Sequence, residues 1–316
     1  MKLKQVPEDF VVREVSAITP GSEGRFTYFT LRKRNYNTLR ALQAVAQAVR
    51  TPVSWFGCAG NKDKVAITEQ VCSVESVSPE SLRSLALKDI QLTPLGKGDR
   101  PVSIGNLNEN KFDIIVRDID ALPAQKTRFV NLFGEQRFST YNAAIGKAII
   151  KRDFKQAVTL ILASQSEAAH RINEALAAQP KNYLNALKQL PFKIVKLYVH
   201  AYQSLLWNEQ ALAYAKAHNE NAKLPIVGFG TEPSPELNAV LLREGVTTRD
   251  FVIKEFPDLS SEGTERDVFA EARELFIGKL EDDELTPGRK KVKLTFALPP
   301  GSYATEFVKQ LFTPIP

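Results

Sequence analysis

Apolar residues crowd two early stretches, 10–15 (FVVREV) and 25–32 (RFTYFTLR), both rich in the β-branched and aromatic residues that strands favour. A helical period follows. Leu39, Leu42, Val45, Ala46 and Val49 share one helical face, with Asn37 or Thr38 as cap and Pro52 as stop. Short apolar runs near 53–58 and 66–75 follow, joined by the loop GNKDK, and 111–117 (KFDIIVR) is a further strand. Pro123 opens an expected helix running through Arg128 to Phe133.

From about residue 141 the texture is Ala-rich with helical period, at 141–150, 155–163, 167–178 and 195–217. A Pro/Gly-marked loop spans 225–235, and helices are expected at 235–244 and 264–278. Strand character returns at 291–298, where Val292, Leu294, Phe296 and Leu298 interleave with Lys291, Lys293 and Thr295. A last helix, 303–312, would turn Phe307, Val308 and Leu311 inward. A helical middle between strand-bearing ends predicts an α+β protein. Its helical block is an insertion, and its last strand and helix complete a sheet begun at the N-terminus. No internal repeat or low-complexity segment is evident.

Composition changes this picture little. Hydrophobic residues at 43% and charged residues at 25% are ordinary for a globular protein with a full core. The formal charge of +6, from 42 Lys+Arg against 36 Asp+Glu, permits a polyanionic partner without requiring one. Two cysteines, Cys58 and Cys72, fall on expected neighbouring strands and read as reduced thiols rather than a disulfide framework. His170, His200 and His218 are scattered without metal-ligand spacing, so no metal is expected. The N-terminus lacks a signal-peptide core and no stretch is apolar enough to span a bilayer, so a cytoplasmic location is expected.

Three stretches hold candidate chemistry. In AGNKDKVAITEQ (59–70), Asp63 sits at a loop tip between Lys62 and Lys64, whose charges favour an ionised carboxylate. Such a group serves as nucleophile or base, although a solvated turn, allowed by Gly60 and Asn61, has the same pattern. Asp9, Asp113 and Asp118 have no better local claim. In NLFGEQRFS (131–139), Asn131, Phe133, Gln136, Arg137 and Phe138 surround Gly134. An aromatic beside an amide suits a base-binding pocket, while a helix C-cap over a packed core explains the same residues. In KLKQVPEDFVVRE the lysines could approach phosphate or a carboxylate, and Phe10 could line a pocket; an edge strand with a charged lead-in is the plainer alternative.

Taken in order, PEDFVVRE (7–14), KRNYNT (33–38), AGNKDKVAITEQ (59–70), NLFGEQRFS (131–139), AYQSLLWN (201–208) and LPPGSYAT (298–305) resemble the TruD-type tRNA pseudouridine synthases from one end of the chain to the other. The resemblance implies a mixed-sheet pseudouridine synthase catalytic domain, 1–153 plus 287–316, interrupted by a mainly helical TruD-type insertion domain, 154–286. It implies isomerisation of a uridine in tRNA, at position 13, without metal or organic cofactor. Asp63 is then the essential carboxylate, acting as nucleophile or as base. Lys4 is its ion-pair partner, Phe10 lines the pocket, Lys62 supports the loop or meets phosphate, and Asn131 and Phe133 hold and stack on the uracil. A monomer is the default oligomeric state. Two rivals stand beside this reading. A non-catalytic RNA-binding protein of the same fold would have no need of Asp63. A glycosidic-bond hydrolase needs a second carboxylate across the scissile bond, for which the motifs offer only Glu69 and Glu135.

Overall fold

The computed structural model describes residues 1–135, 141–260, 262–313 and 315. The chain begins with β1 (Phe10–Ser16), β2 (Phe26–Arg34), α1 (Thr38–Ala48), β3 (Phe56–Cys58), β4 (Ile67–Glu75), α2 (Pro79–Arg83), β5 (Ile90–Gly98) and β6 (Leu107–Ile119). A mainly helical stretch follows: β7 (Arg128–Val130), α3 (Asn142–Ile150), α4 (Phe154–Ala163), α5 (Glu167–Ala178), α6 (Tyr183–Lys188), α7 (Phe192–Ala217), β8 (Lys223–Ile226) and α8 (Pro235–Glu244). It closes with β9 (Thr264–Asp267), β10 (Phe269–Glu271), β11 (Arg273–Ile277), β12 (Glu281–Asp282), β13 (Lys290–Leu298) and α9 (Ala304–Phe312). This α+β chain packs as two units, residues 1–128 with 271–304 and residues 129–270 with 305–316.

The first unit is built on a sheet of strand order β11-β13-β6-β1-β4-β2-β5, with β12 added to β13 and β3 to β4. Within it β1 and β4 run parallel and the other pairs are antiparallel. Alternation along β2 decides what each face carries. Phe29 and Leu31 are fully buried with Leu42 and Val45 of α1, Leu82 of α2, and Cys72 and Val74 of β4. Burying each such aliphatic or aromatic side chain contributes about 1.5–3 kcal/mol. Arg32 and Arg34 take the opposite phase and are exposed, whereas Lys33 keeps the core-facing phase and is fully buried. The alternation expected for β13 holds, with Val292, Leu294, Phe296 and Leu298 all buried.

In α1 the buried stripe is Thr38, Ala41, Leu42, Val45 and Ala46. Leu39, expected inside, is 52% exposed. The helix has turned so that the threonine at its first position, not the adjacent leucine, faces inward. Asn37 caps it, accepting from the Leu39 amide as the sequence pattern anticipates.

In the second unit α3, α4, α5, α6, α7 and α8 share a core containing Ile149, Val158, Ile161, Ile172, Leu206 and Leu241. The helices expected at 141–150, 155–163, 167–178, 195–217 and 235–244 correspond to α3, α4, α5, α7 and α8. Close packing of α3 on α7 depends on Gly146, where a Cβ would lie 2.1 Å from the Tyr198 carbonyl oxygen. Phe307, Val308 and Leu311 of α9 are buried, also as expected.

Two expected helices are strands instead. Around 123–133 the chain is irregular and then extended as β7, which pairs with β10, while Gln310 of α9 takes both the Val130 amide (2.9 Å) and the Val130 carbonyl (2.8 Å). Partners distant in sequence thus override local helical period. The stretch 264–278 forms β9, which pairs with β8, then β10, which pairs with β7, and β11, which pairs with β13. A register shift between Arg273 and Phe276, with Glu274 at φ 53°, marks the bulge on this edge.

Candidate active site

The loop 59–66 joins β3 to β4, with Cys58 opposite Cys72 as free thiols at its base. Gly60 and Asn61 were expected to shape it through unusual backbone angles. Neither adopts positive φ, and a Cβ at Gly60 would meet nothing within 4 Å. Side chains from neighbouring elements hold the loop instead. The Lys62 amide donates to Thr38 Oγ1 at 2.9 Å, and the Thr38 hydroxyl donates to Gln70 Oε1 at 3.2 Å. Gln70 Nε2 in turn donates to the Gly60 carbonyl at 2.9 Å. Lys33 Nζ donates to the Asp63 carbonyl at 2.8 Å and to the Tyr36 carbonyl at 2.6 Å. The stretches KRNYNT and AGNKDKVAITEQ are therefore two halves of one hydrogen-bonded unit. Lys33, Thr38 and Gln70 are all buried, where each broken bond leaves a costly unsatisfied group.

The Asp63 carboxylate, 28% exposed, emerges from this rigid base with its Oδ2 3.1 Å from Lys4 Nζ. Lys4 also lies over the Phe10 ring, 4.2 Å from its centroid, and buried Phe10 meets Phe112 edge-on at 6.1 Å. Lys4 has φ 56°, and the segment around it is fastened at both ends. Lys2 forms a main-chain bridge with Arg117, and the Arg117 guanidinium grips Asp9. Lys62 turns to Glu14 Oε2, 2.7 Å away, and donates to Asn110 Oδ1 at 2.8 Å. Burial of Lys33 depresses its pKa to about 8, with the Asp63 charge opposing that shift and Lys62 adding to it.

Asn131 and Phe133 form a separate cluster in the second unit. The Asn131 amide donates to the Val268 carbonyl at 2.7 Å. Arg266 donates to the Asn131 carbonyl and to Asn131 Oδ1, the latter at 2.7 Å. Its guanidinium lies 4.3 Å from the Phe133 ring centroid, and Trp207 meets the same ring edge-on at 5.6 Å. Asn208 brackets the Phe133 main chain, accepting from its amide at 2.8 Å and donating to its carbonyl at 3.0 Å. The expected helix C-cap around Gly134 is absent, since no helix precedes it: 131–134 follow β7 without regular structure. Gln136, Arg137 and Phe138 lie outside the described residues.

The other acids are committed elsewhere. Asp113 pairs with Arg13 and accepts from Thr295 Oγ1 at 2.9 Å, and Asp118 pairs with Arg289. Glu69 lies in register with Arg32, on the sheet face opposite Lys33 and Gln70, and Glu135 pairs with Lys309. Both are therefore already paired to a cation. Among the described residues no group of three or more His, Cys, Asp or Glu could hold a metal ion, and no helix is long and apolar enough to cross a membrane.

The family described as tRNA pseudouridine synthase D (TruD) matches residues 1–175, 170–221 and 210–311. The chain belongs to the TruD family. "Probable tRNA pseudouridine synthase D" of Methanosarcina acetivorans is 28% identical over 98% of this chain and 92% of that protein. Its counterpart in Methanopyrus kandleri is 31% identical over 92% and 86%, and the Aquifex aeolicus "tRNA pseudouridine synthase D" is 26% identical over 99% and 98%. Among solved structures, the putative TruD of Methanosarcina mazei superposes with a TM-score of 0.75 at 26% identity, covering 98% of this chain and 93% of that one.

In this TruD chain the structure gathers Lys4, Phe10 and Asp63 into one contact set and places Lys62 beside it, turned towards Glu14. Asn131 and Phe133 share a second set. Reading residues one by one missed Lys33, Thr38 and Gln70. Their signal was a polar group at a core-facing phase: Lys33 two places after Leu31, and Thr38 on the stripe of Ala41, Leu42 and Val45. Arg266 gave no such signal, because it lies in a stretch read with the wrong period.

Proposed function

We propose that this protein isomerises a uridine of tRNA, at position 13, to pseudouridine, with Asp63 as the reactive carboxylate. One observation carries the assignment of Asp63. It is a partly exposed carboxylate on a pinned main chain, with one oxygen on a lysine, while the acids around it are tied to arginines or buried. Among the described residues Asp63 Oδ1 accepts no hydrogen bond, so this oxygen is available to attack or to take a proton.

In the reaction the bond from N1 to C1′ breaks, the uracil turns, and C5 bonds to C1′. C5 gives up its hydrogen as a proton and N1 gains one, so no redox partner enters. The Lys4 ammonium, 3.1 Å from Oδ2, orients the carboxylate for either role, nucleophile or base. Phe10 walls the pocket beneath Lys4, and Lys62 supports the loop through Glu14 and Asn110. Asn131 holds the base edge and Phe133 stacks on the ring, a contact of about 1–3 kcal/mol. The target leaves its helical stack first, which costs a few kcal/mol, and lysines and arginines bind the phosphates around it.

Chemistry falls to residues 1–153 with 287–316 and the clasping of RNA to 154–286. The protein acts as a monomer in the cytoplasm. The test uses an unmodified tRNA transcript carrying tritium at uracil C5, incubated with the wild type and Asp63→Asn. Release by the wild type alone, mapped to one uridine, supports the reading. Free uracil among the products would instead indicate a hydrolase, and tRNA binding without release an RNA-binding protein. Phe133→Ala should slow turnover by about 5- to 150-fold, the equivalent of the stacking term, and an unchanged rate would return Phe133 to a packing role.

A further inference from the structure

Lys33 is a buried charged group beside the Asp63 loop to which the reaction itself assigns no part. It lies fully buried on β2, two residues beyond Leu31 in the same inward phase, where an aliphatic side chain would fill the space without desolvating a charge. Both groups it donates to are neutral carbonyls, those of Asp63 at 2.8 Å and Tyr36 at 2.6 Å. The other loop anchors, Thr38 and Gln70, hold Lys62 and Gly60 and are uncharged. Among the described residues Lys33 is the anchor that reaches the main chain of Asp63.

We propose that Lys33 is a positioning residue: its buried ammonium ties the Asp63 carbonyl to the Tyr36 carbonyl and so fixes the direction in which the Asp63 carboxylate leaves the loop. This rests on Asp63 being the reactive carboxylate. A hydrogen bond from a cation is stronger and shorter than one from a neutral amine, so the grip depends on the proton.

The charged groups around Lys33 set when that proton leaves. Asp63 favours the ammonium and Lys62 opposes it. Behind them stand Lys4, paired with Asp63, and Glu14, paired with Lys62. The strand neighbours Thr68 of β4 and Ile90 of β5, and Thr38 of α1, add no charge. Burial dominates and lowers Lys33 to about 8. The grip is therefore complete below that pH and weakens above it.

The experiment is tritium release from the C5-labelled transcript between about pH 6.5 and 9.5, with tRNA affinity and thermal unfolding measured alongside. The wild type, Lys33→Met, Lys33→Arg and Asp63→Asn are compared. Lys33→Met should lower kcat by about 10- to 100-fold, as for loss of a charge-assisted hydrogen bond, with KM and tRNA affinity within about twofold. A merely structural role would reduce the folded fraction and leave kcat per folded molecule unchanged. The wild-type rate should fall as pH rises through about 8, and Lys33→Arg, whose charge does not titrate, should lose that fall. Wild-type kcat in Lys33→Met, or the same alkaline fall in Lys33→Arg, overturns the proposal. If neither variant folds, the wild-type profile decides: a fall centred near pH 8 supports it and a flat profile overturns it. Turnover by Asp63→Asn is a different failure, because it removes Asp63 as the reactive group whatever Lys33 does.

Discussion

The sheet of the first unit carries two ionic clusters of opposite balance. Around the loop that carries Asp63, Lys4 pairs with Asp63, Lys62 pairs with Glu14 and Lys33 donates to the Asp63 carbonyl, so three lysines stand beside two carboxylates. Further along β6, the single guanidinium of Arg117 serves three: Asp9 at 2.9 Å through both oxygens, Asp283 at 2.8 Å and Glu284 at 3.0 Å. Asp9 and Asp283 are both buried. Asp63 is partly open and meets one lysine through one oxygen. A saturated, bidentate pair fixes geometry, whereas a carboxylate held by its main chain leaves its oxygens for a substrate. On the proposed reading this tells two aspartates from neighbouring motifs apart: Asp9 is structural and Asp63 reactive.

The sharpest break of this contrast is Asp63→Asn. Turnover should fall to background while the unfolding midpoint stays within the range of ordinary surface substitutions, about 0.5 kcal/mol. Tritium release and urea unfolding on the same preparation check it, and residual turnover would place the reactive group elsewhere. Arg117→Ala should do the reverse. Removing the one cation among buried Asp9 and Asp283 should destabilise the fold by about 3–5 kcal/mol, while the protein that remains folded at low temperature still turns over. An Arg117→Ala protein as stable as the wild type would mean that the cluster is not the structural half of the pair.

Both clusters show what a sequence can and cannot carry. The strand alternation at β13, the helices of the second unit and the short words around Asp63 were readable because local period and local chemistry agreed with the final packing. Asp9 and Asp63 look equivalent in sequence, each an acid in a polar, charged stretch. What separates them is Arg117, 108 positions from Asp9, and Asp283, which only the pairing of β6 with β13 brings near. β7, β9 and β11 were expected as helix, but each is made a strand by a partner from another part of the chain, β10, β8 and β13. The resemblance supplied Lys4 and Phe133 as candidates. It did not supply Arg266, whose contacts depend on β9 being a strand.

Lys4→Met sharpens the comparison from the other side. Lys4 and Asp63 are partly exposed, so their ion pair should contribute less than about 1 kcal/mol to stability. On the proposed reading the same lysine orients the reactive carboxylate, and its loss should slow turnover by about 10- to 100-fold, the scale of a contact to a charged group. The ratio of the two effects, read from tritium release and chemical unfolding, is the measure of a functional pair. A stability loss without a rate loss would class Lys4 with Arg117.

Acid titration of stability probes the saturated cluster without mutation. Arg117, and after it Lys291, hold Glu284 down at about 2, against an ordinary value of 4.5. Asp283 also lies below its ordinary value: burial pushes it up, but the Leu285 amide and Arg117 together outweigh that. Asp118 is lowered by its bond from Arg289. Each of these folded-state values is depressed, so the unfolded chain takes up protons first as pH falls. The stabilising contribution is therefore fully present above about 4.5 and is lost progressively as pH falls through about 2. Urea midpoints measured between those limits should decline, and the decline should be shallower in Arg117→Ala, where the cation that depresses Glu284 and Asp283 is gone. An equal slope in both proteins would assign the acid sensitivity to other carboxylates and remove the distinction between the two clusters in their response to protons.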